Sequence, residues 1–175
     1  MQLRALRGRL SEPVTQGLVS SVMDDLAGAS QAIRELIDGL RPADLDLGLE
    51  GALRARVAAL LPDAQASVVA TGDLTRVPPA AEVAAYRIVV EALTNVARHA
   101  PGAGCVITLT EDDDVLEVVI ADDGPGPKAA LRRAGGVGTA SMRQRAEELG
   151  GTLTLGPLRP GAAGLAVTAR LPLVR

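Results

Sequence analysis

Residues 86–100, YRIVVEALTNVARHA, decide the fold. Val83, Tyr86, Val90, Leu93 and Ala97 recur at three- and four-residue steps, which predicts a helix with one apolar stripe. Glu91, Asn95 and Arg98 follow the same spacing. At about 100° per residue they share a second face. A carboxylate, a carboxamide and a guanidinium in one row offer an acid–base group, a neutral oxygen ligand and an anion clamp. That set suits a magnesium-bound polyphosphate, because magnesium takes oxygen ligands and keeps substrate phosphates in its shell. A solvated polar face on a surface helix would look the same, so the neighbouring segments must discriminate.

Two segments do so. Asp122-Asp123-Gly124-Pro125-Gly126 comes directly after a strand-like run, and Gly135-Gly136-Val137-Gly138 opens another helical stretch. A carboxylate at a strand end, as Asp122 would be, can accept a hydrogen bond from an exocyclic amine such as adenine N6. Gly124 and Gly126 let the backbone turn sharply and approach a flat base. Gly136 and Gly138 lead into a helix whose free N–H groups can hold phosphate. Lys128, Arg132 and Arg133 lie in the intervening loop and could cover the phosphates. Each motif alone equally describes a plain turn or solvated loop charges. Taken in order, Glu…Asn on a helix, Asp-x-Gly-x-Gly and then Gly-x-Gly resemble the nucleotide-binding domain of the GHKL superfamily. Histidine kinases, type II topoisomerases, mismatch-repair ATPases and a heat-shock chaperone belong to it.

The composition is compatible with this. A length of 175 residues allows one ordinary domain with a helical appendage. An apolar fraction of 47% supports a packed core, which must be aliphatic, because Phe and Trp are absent and Tyr86 is the only aromatic residue. A formal charge of −3 without stacking rings argues against nucleic-acid binding. Cys105 is the one cysteine and reads as a buried reduced thiol. No run reaches the roughly 18 apolar residues of a membrane span, and the N-terminus does not read as a signal peptide. The expectation is a cytoplasmic chain, with a membrane anchor elsewhere in a longer parent left open.

Along the chain, residues 1–41 read as helix, broken near Ser11-Glu12-Pro13. Leu18, Val22, Leu26, Ala29, Ile33, Leu36 and Leu40 form a seam suited to another helix, or to the domain's own surface. Residues 43–47 are expected as a connector, and Leu49–Leu61 as a helix stopped by Pro62. Strands are expected at Ala66–Thr71, Cys105–Glu111, Val115–Ala121, Thr152–Leu155 and Leu165–Leu171, with a helix at Ser141–Leu149. Five strands in one sheet covered on one face by helices make an α+β, two-layer α/β sandwich. The expected division is a helical segment over 1–45 and a catalytic domain over 46–175.

Glu91-Ala92-Leu93-Thr94-Asn95-Val96, Asp122-Asp123-Gly124 and Ser141-Met142-Arg143-Gln144-Arg145-Ala146 with Leu149-Gly150-Gly151 resemble the nitrate/nitrite-sensor class of bacterial two-component histidine kinases. Ile37-Asp38-Gly39-Leu40-Arg41-Pro42 is similar to the end of that class's second dimerisation helix. The resemblance runs from about Ile33 to Leu173. It implies a Bergerat-type ATP-binding fold, ATP and Mg2+ as cofactors, a response regulator as partner, and a homodimeric parent carrying the phospho-acceptor helix. It also implies that Asn95 ligates magnesium and that Glu91 assists acid–base chemistry or the metal's water shell. Arg98 and His99 would contact phosphate, Asp122 with Gly124 and Gly126 would read adenine, and Gly136, Gly138 and Thr139 would flank the triphosphate.

Three positions depart from the family pattern. Its acceptor is a His-Asp pair, and His99, the only histidine, is not followed by Asp. The transferred γ-phosphoryl would therefore go to a histidine absent from this chain. Thr139 stands where the family has Leu, and Gly164-Leu165 where it has Gly-Thr. A degenerate docking module of the same fold and an anti-sigma-factor-like serine kinase are the competing readings.

Overall fold

The computed structural model describes residues 41–62, 64–112, 114–124, 137–157 and 163–173. The expected helical segment over residues 1–40 lies outside them. All the elements below belong to the compact unit Pro42–Arg175. The helices are α1 (Gly48–Leu60), α2 (Pro79–His99) and α3 (Val137–Glu148), and the strands are β1 (Ala66–Thr71), β2 (Cys105–Asp112), β3 (Val115–Asp122), β4 (Thr152–Gly156) and β5 (Leu165–Pro172). The strands form a single sheet in the order β1-β2-β3-β5-β4. The β1–β2 pair is parallel and the other pairs are antiparallel. A parallel pair needs a long crossover, and α2 supplies it.

Strand alternation dictates which face is covered. Val68, Ile107, Ile120 and Val167 form one buried row across the sheet, and Leu109, Val118, Ala169 and Leu153 form the next. With period two, these residues all point to the helical layer. The opposite face carries Val69 and Val106, both exposed. The α/β two-layer expectation therefore holds.

Helix α2 starts at Pro79, where proline's fixed φ fits the first turn and its missing N–H goes unmissed. It stops at Ala100, whose N–H donates to the Val96 carbonyl at 2.8 Å. Arg98 and His99 occupy its last turn, the end where cations complement the helix dipole. The buried face differs from the expected stripe. Tyr86 and Leu93 are buried, but Val83, Val90 and Ala97 are only partly so, and Ala85, Ile88, Val89, Ala92 and Val96 fill the sheet contact. Ala81, Ala84, Ala85 and Ala92 all belong to the buried face, small residues that carry little weight in a hydrophobic stripe. A stripe drawn through the larger residues misses them.

Other boundaries shift. Residues 43–47 form a 3-10 helix with Leu45 buried, where a plain connector was expected. Strands β2, β3, β4 and β5 each run one residue further than expected, to Asp112, Asp122, Gly156 and Pro172. Helix α3 begins at Val137, a turn before the expected Ser141. It ends as expected, with the Gly151 N–H donating to the Ala146 carbonyl at 2.8 Å and Gly150 in the left-handed region.

The lone aromatic side chain joins three segments. Tyr86 donates its hydroxyl hydrogen to Asp44 and accepts from Arg56 Nε at 2.8 Å, while Arg56 Nη2 lies 3.0 Å from Asp44 Oδ2. Burial first, then the bond to Asp44, pushes the Tyr86 hydroxyl above its ordinary pKa, so it stays protonated and donating. A buried carboxylate fixes the lead-in to α2: Glu111 accepts from the Asp73 N–H at 3.0 Å and lies 3.4 Å from Arg76 Nη1.

Two outcomes are expected. Tyr86→Phe removes both hydroxyl bonds and lowers stability by about 1–3 kcal/mol, read by urea unfolding followed by circular dichroism. Cys105 is buried, and desolvation, then Asp122 and Asp123, pushes its thiol up to about 12. Alkylation by iodoacetamide at pH 8 is therefore expected to be roughly a hundredfold or more slower in the folded chain than in urea.

Candidate functional site

The site is organised along one side of α2. Glu91, Asn95 and Arg98 share its second face, as their spacing requires; Glu91 and Asn95 are half-buried and Arg98 is exposed. His99 is also exposed, in the final turn.

Midway along the helix, Glu91 meets the first turn of α3. A Cβ placed on Gly138 would lie 2.0 Å from Glu91 Oε1, so the carboxylate rests against the backbone of that residue. Anions are favoured at a helix N-terminus, where N–H groups are free and the dipole is positive. Gly138 lies inside α3 rather than before it, and Thr139, next in the helix, is buried. The sequence reading had both glycines of that motif ahead of the helix. Gly136 lies outside the described residues.

Nine residues further along α2, roughly 14 Å of helix, the Asp122 turn packs against its end. Asp122 terminates β3, paired with Cys105 of β2 and Leu165 of β5. Its Oδ1 accepts from the Gly124 N–H at 2.9 Å. A Cβ on Gly124 would come 2.6 Å from Ala100 Cβ, so no larger residue fits between the turn and the helix end. Asp123 faces the other way, where its Oδ1 accepts from the Gly104 N–H at 2.8 Å. Burial raises the Asp122 pKa, with Asp123 adding to the rise, while bonds from the backbone N–H groups of Gly124 and Leu165 oppose it.

Sequence reasoning missed part of this bracket. Gly164 has φ +94°, its N–H donates to the Gly124 carbonyl at 3.0 Å, and a Cβ there would lie 2.2 Å from the Asp122 carbonyl oxygen. Its positive φ and close approach make it a glycine position. The Gly164-Leu165 pair was noted for its departure from Gly-Thr, but the sequence offers no signal that Leu165 holds Asp122 through its backbone. Gly126, Lys128, Arg132 and Arg133 lie outside the described residues.

The structure therefore sets Glu91 against Gly138 and packs the Asp122–Gly124 turn on the end of α2, with Asn95 on the same helical face as Glu91. A half-buried carboxylate at one end and a helix N-terminus in contact with the helix's middle can receive a ligand that carries an amine-bearing ring and an anionic tail.

Comparison with known proteins shows the family. Residues 80–175 match the family described as histidine kinase-, DNA gyrase B- and HSP90-like ATPase. The sensor histidine kinase YxjM of Bacillus subtilis is 37% identical over 97 residues, covering 55% of this chain and 23% of that protein. The signal transduction histidine-protein kinase/phosphatase UhpB of Salmonella typhimurium is 32% identical over 132 residues, 73% of this chain and 26% of that one. The solved structure of the mycobacterial sensor histidine kinase MprB superposes with a TM-score of 0.54 at 26% identity, over 71% of this chain and 91% of that one. The chain thus spans about a quarter of the length of these two curated relatives. With the family match extending from the start of α2 through β5, this chain belongs to the histidine kinase-, DNA gyrase B- and HSP90-like ATPases.

Proposed function

We propose that this chain is the ATP-binding catalytic region of a sensor histidine kinase of the nitrate/nitrite-sensor class. It transfers the γ-phosphoryl of ATP to a histidine on a dimerisation helix outside this chain, for relay to a response regulator in a homodimeric parent. The observation that supports the proposal is the Glu91 carboxylate lying against Gly138 at the start of α3, with Asn95 on the same helical face and the Asp122 turn packed on the end of α2.

Asp122 accepts from the adenine amine, and Gly124 leaves the base room to approach. Gly138 and Thr139 border the triphosphate at the start of α3, and Arg98 and His99 reach it from the last turn of α2. Asn95 offers a carboxamide oxygen to magnesium. Among the described residues no three Asp, Glu, His or Cys side chains gather. A single carboxamide oxygen suits a hard cation that takes few protein oxygens and draws the rest from phosphate and water, as magnesium does. When bound, that ion neutralises phosphate charge in a transfer that otherwise needs mainly positioning. Glu91 stands beside it as the group that accepts or orders a proton. Leu165 replaces the family's threonine, and its backbone bond to the Asp122 carboxylate supports an intact adenine site over the degenerate docking module.

Calorimetric titration of ATP with and without magnesium tests the reading. Magnesium-dependent binding is expected, weakened about tenfold or more (1.4 kcal/mol) by Asn95→Ala and by Asp122→Ala. Absence of binding by the folded wild-type chain at millimolar ATP would refute it.

Asp122 also predicts a pH dependence. Its folded pKa is raised, so the ionised form that the amine requires is lost, as pH falls, earlier than it would be for an ordinary aspartate. ATP affinity should therefore decline on acidification before other carboxylates protonate, and the decline should vanish in Asp122→Asn. A raised acid pKa also means that the charge destabilises the fold at neutral pH. Asp122→Asn, which keeps an oxygen for the Gly124 N–H, should raise the melting temperature of the free chain at pH 7 while weakening ATP binding.

A further inference from the structure

The glycines that line the site are close to their neighbours for different reasons. At Gly164 an added Cβ would meet the Asp122 carbonyl oxygen at 2.2 Å, and at Gly124 it would meet Ala100 Cβ at 2.6 Å. Both obstacles are rigid, so these glycines serve the packing of the turn itself. Gly138 is different. The three atoms nearest its added Cβ all belong to one side chain: Glu91 Oε1 at 2.0 Å, Cδ at 3.0 Å and Cγ at 3.5 Å.

The backbone does not otherwise call for glycine at this position. Gly138 is the second residue of α3 and is not among the glycines with positive φ. An alanine there would suit the helix better, since glycine destabilises helical positions relative to alanine. Among the described residues, the three atoms nearest to a methyl group there all belong to the Glu91 side chain. The obstacle is also the mobile end of a long side chain, which can move aside without shifting either helix.

We propose that Gly138 is a positioning residue for Glu91, its missing side chain giving the carboxylate its place against the first turn of α3. The inference rests on the proposed function, in which Glu91 is the proton-handling group. It assigns Gly138 a role exerted through Glu91, in addition to bordering the triphosphate. A carboxylate is favoured beside the positive end of a helix dipole, which is where Glu91 lies against α3. Geometry in phosphoryl transfer is exacting enough that displacement by about 1 Å costs rate steeply.

A double-mutant cycle tests this in the whole chain, using Gly138→Ala, Glu91→Ala and the pair. Magnesium-ATP affinity is measured by calorimetry, and γ-phosphoryl transfer to a supplied histidine-bearing dimerisation helix is measured at saturating ATP. Gly138→Ala alone is expected to lower the transfer rate about tenfold or more while changing affinity less than about threefold. With Glu91→Ala already present, adding Gly138→Ala should change the rate by less than about twofold, because the side chain it displaces is gone.

An equal loss in both backgrounds, a loss confined to affinity, or no loss in the single variant would overturn the proposal. Failure of Gly138→Ala to fold in both backgrounds, read by thermal melting, would overturn it too, since the atoms nearest the new methyl all belong to Glu91. A wild-type chain that neither binds magnesium-ATP nor transfers would instead defeat the proposed function, and this inference with it.

Discussion

The burial of one side of α2 against the sheet is the constraint on which everything else here depends. The helix crosses from β1 to β2, and its buried face is rich in alanine. Once that face is committed, the side bearing Glu91 and Asn95 has a set direction. The polar row then lies where α3 begins and where β3 ends. A helix free to rotate would scatter these groups; a packed one holds them in register.

Among the described residues the core accomplishes this with aliphatic side chains, apart from Tyr86, Cys105 and Met142. Without aromatic rings each buried side chain contributes modest area, so the packing relies on many interlocked Leu, Val, Ile and Ala contacts. The single ring is used for its polar end as well as its surface. Its hydroxyl bridges Asp44 and Arg56, and so ties the segment entering the domain and α1 to the central helix five residues before Glu91. Glu111 does comparable work at the other approach to α2, where its buried carboxylate gathers the Asp73 N–H and the Arg76 guanidinium. Both ends of the route into the helix are thus held by polar contacts.

Much of the site was legible in order along the chain. Glu91, Asn95 and Arg98 share a face because helical geometry leaves them no choice, and Asp122 ends a strand because alternation stops there. The strands and α1 were placed closely by periodicity and by proline and glycine punctuation. The start of α3 was misplaced because glycines read as turn formers, yet Gly138 is helical and has a side chain from another helix against it, which its own stretch of sequence does not reveal. The contact face of α2 was misjudged for a related reason, since a pattern weighted toward large residues overlooks buried alanine.

The sequence by itself determined the element types, the one-sided sheet and the family, because these follow from local periodicity and from motifs in fixed order. Only the tertiary structure decided which groups meet. That Glu91 rests on Gly138, that Gly124 closes on Ala100, that Gly164 brackets Asp122, and that Leu165 steadies its carboxylate through backbone rather than side chain are all contacts between distant segments. Such contacts depend on the depth and rotation at which helices pack on the sheet. Those quantities are set by the summed shapes of many side chains, and no local stretch of sequence encodes them.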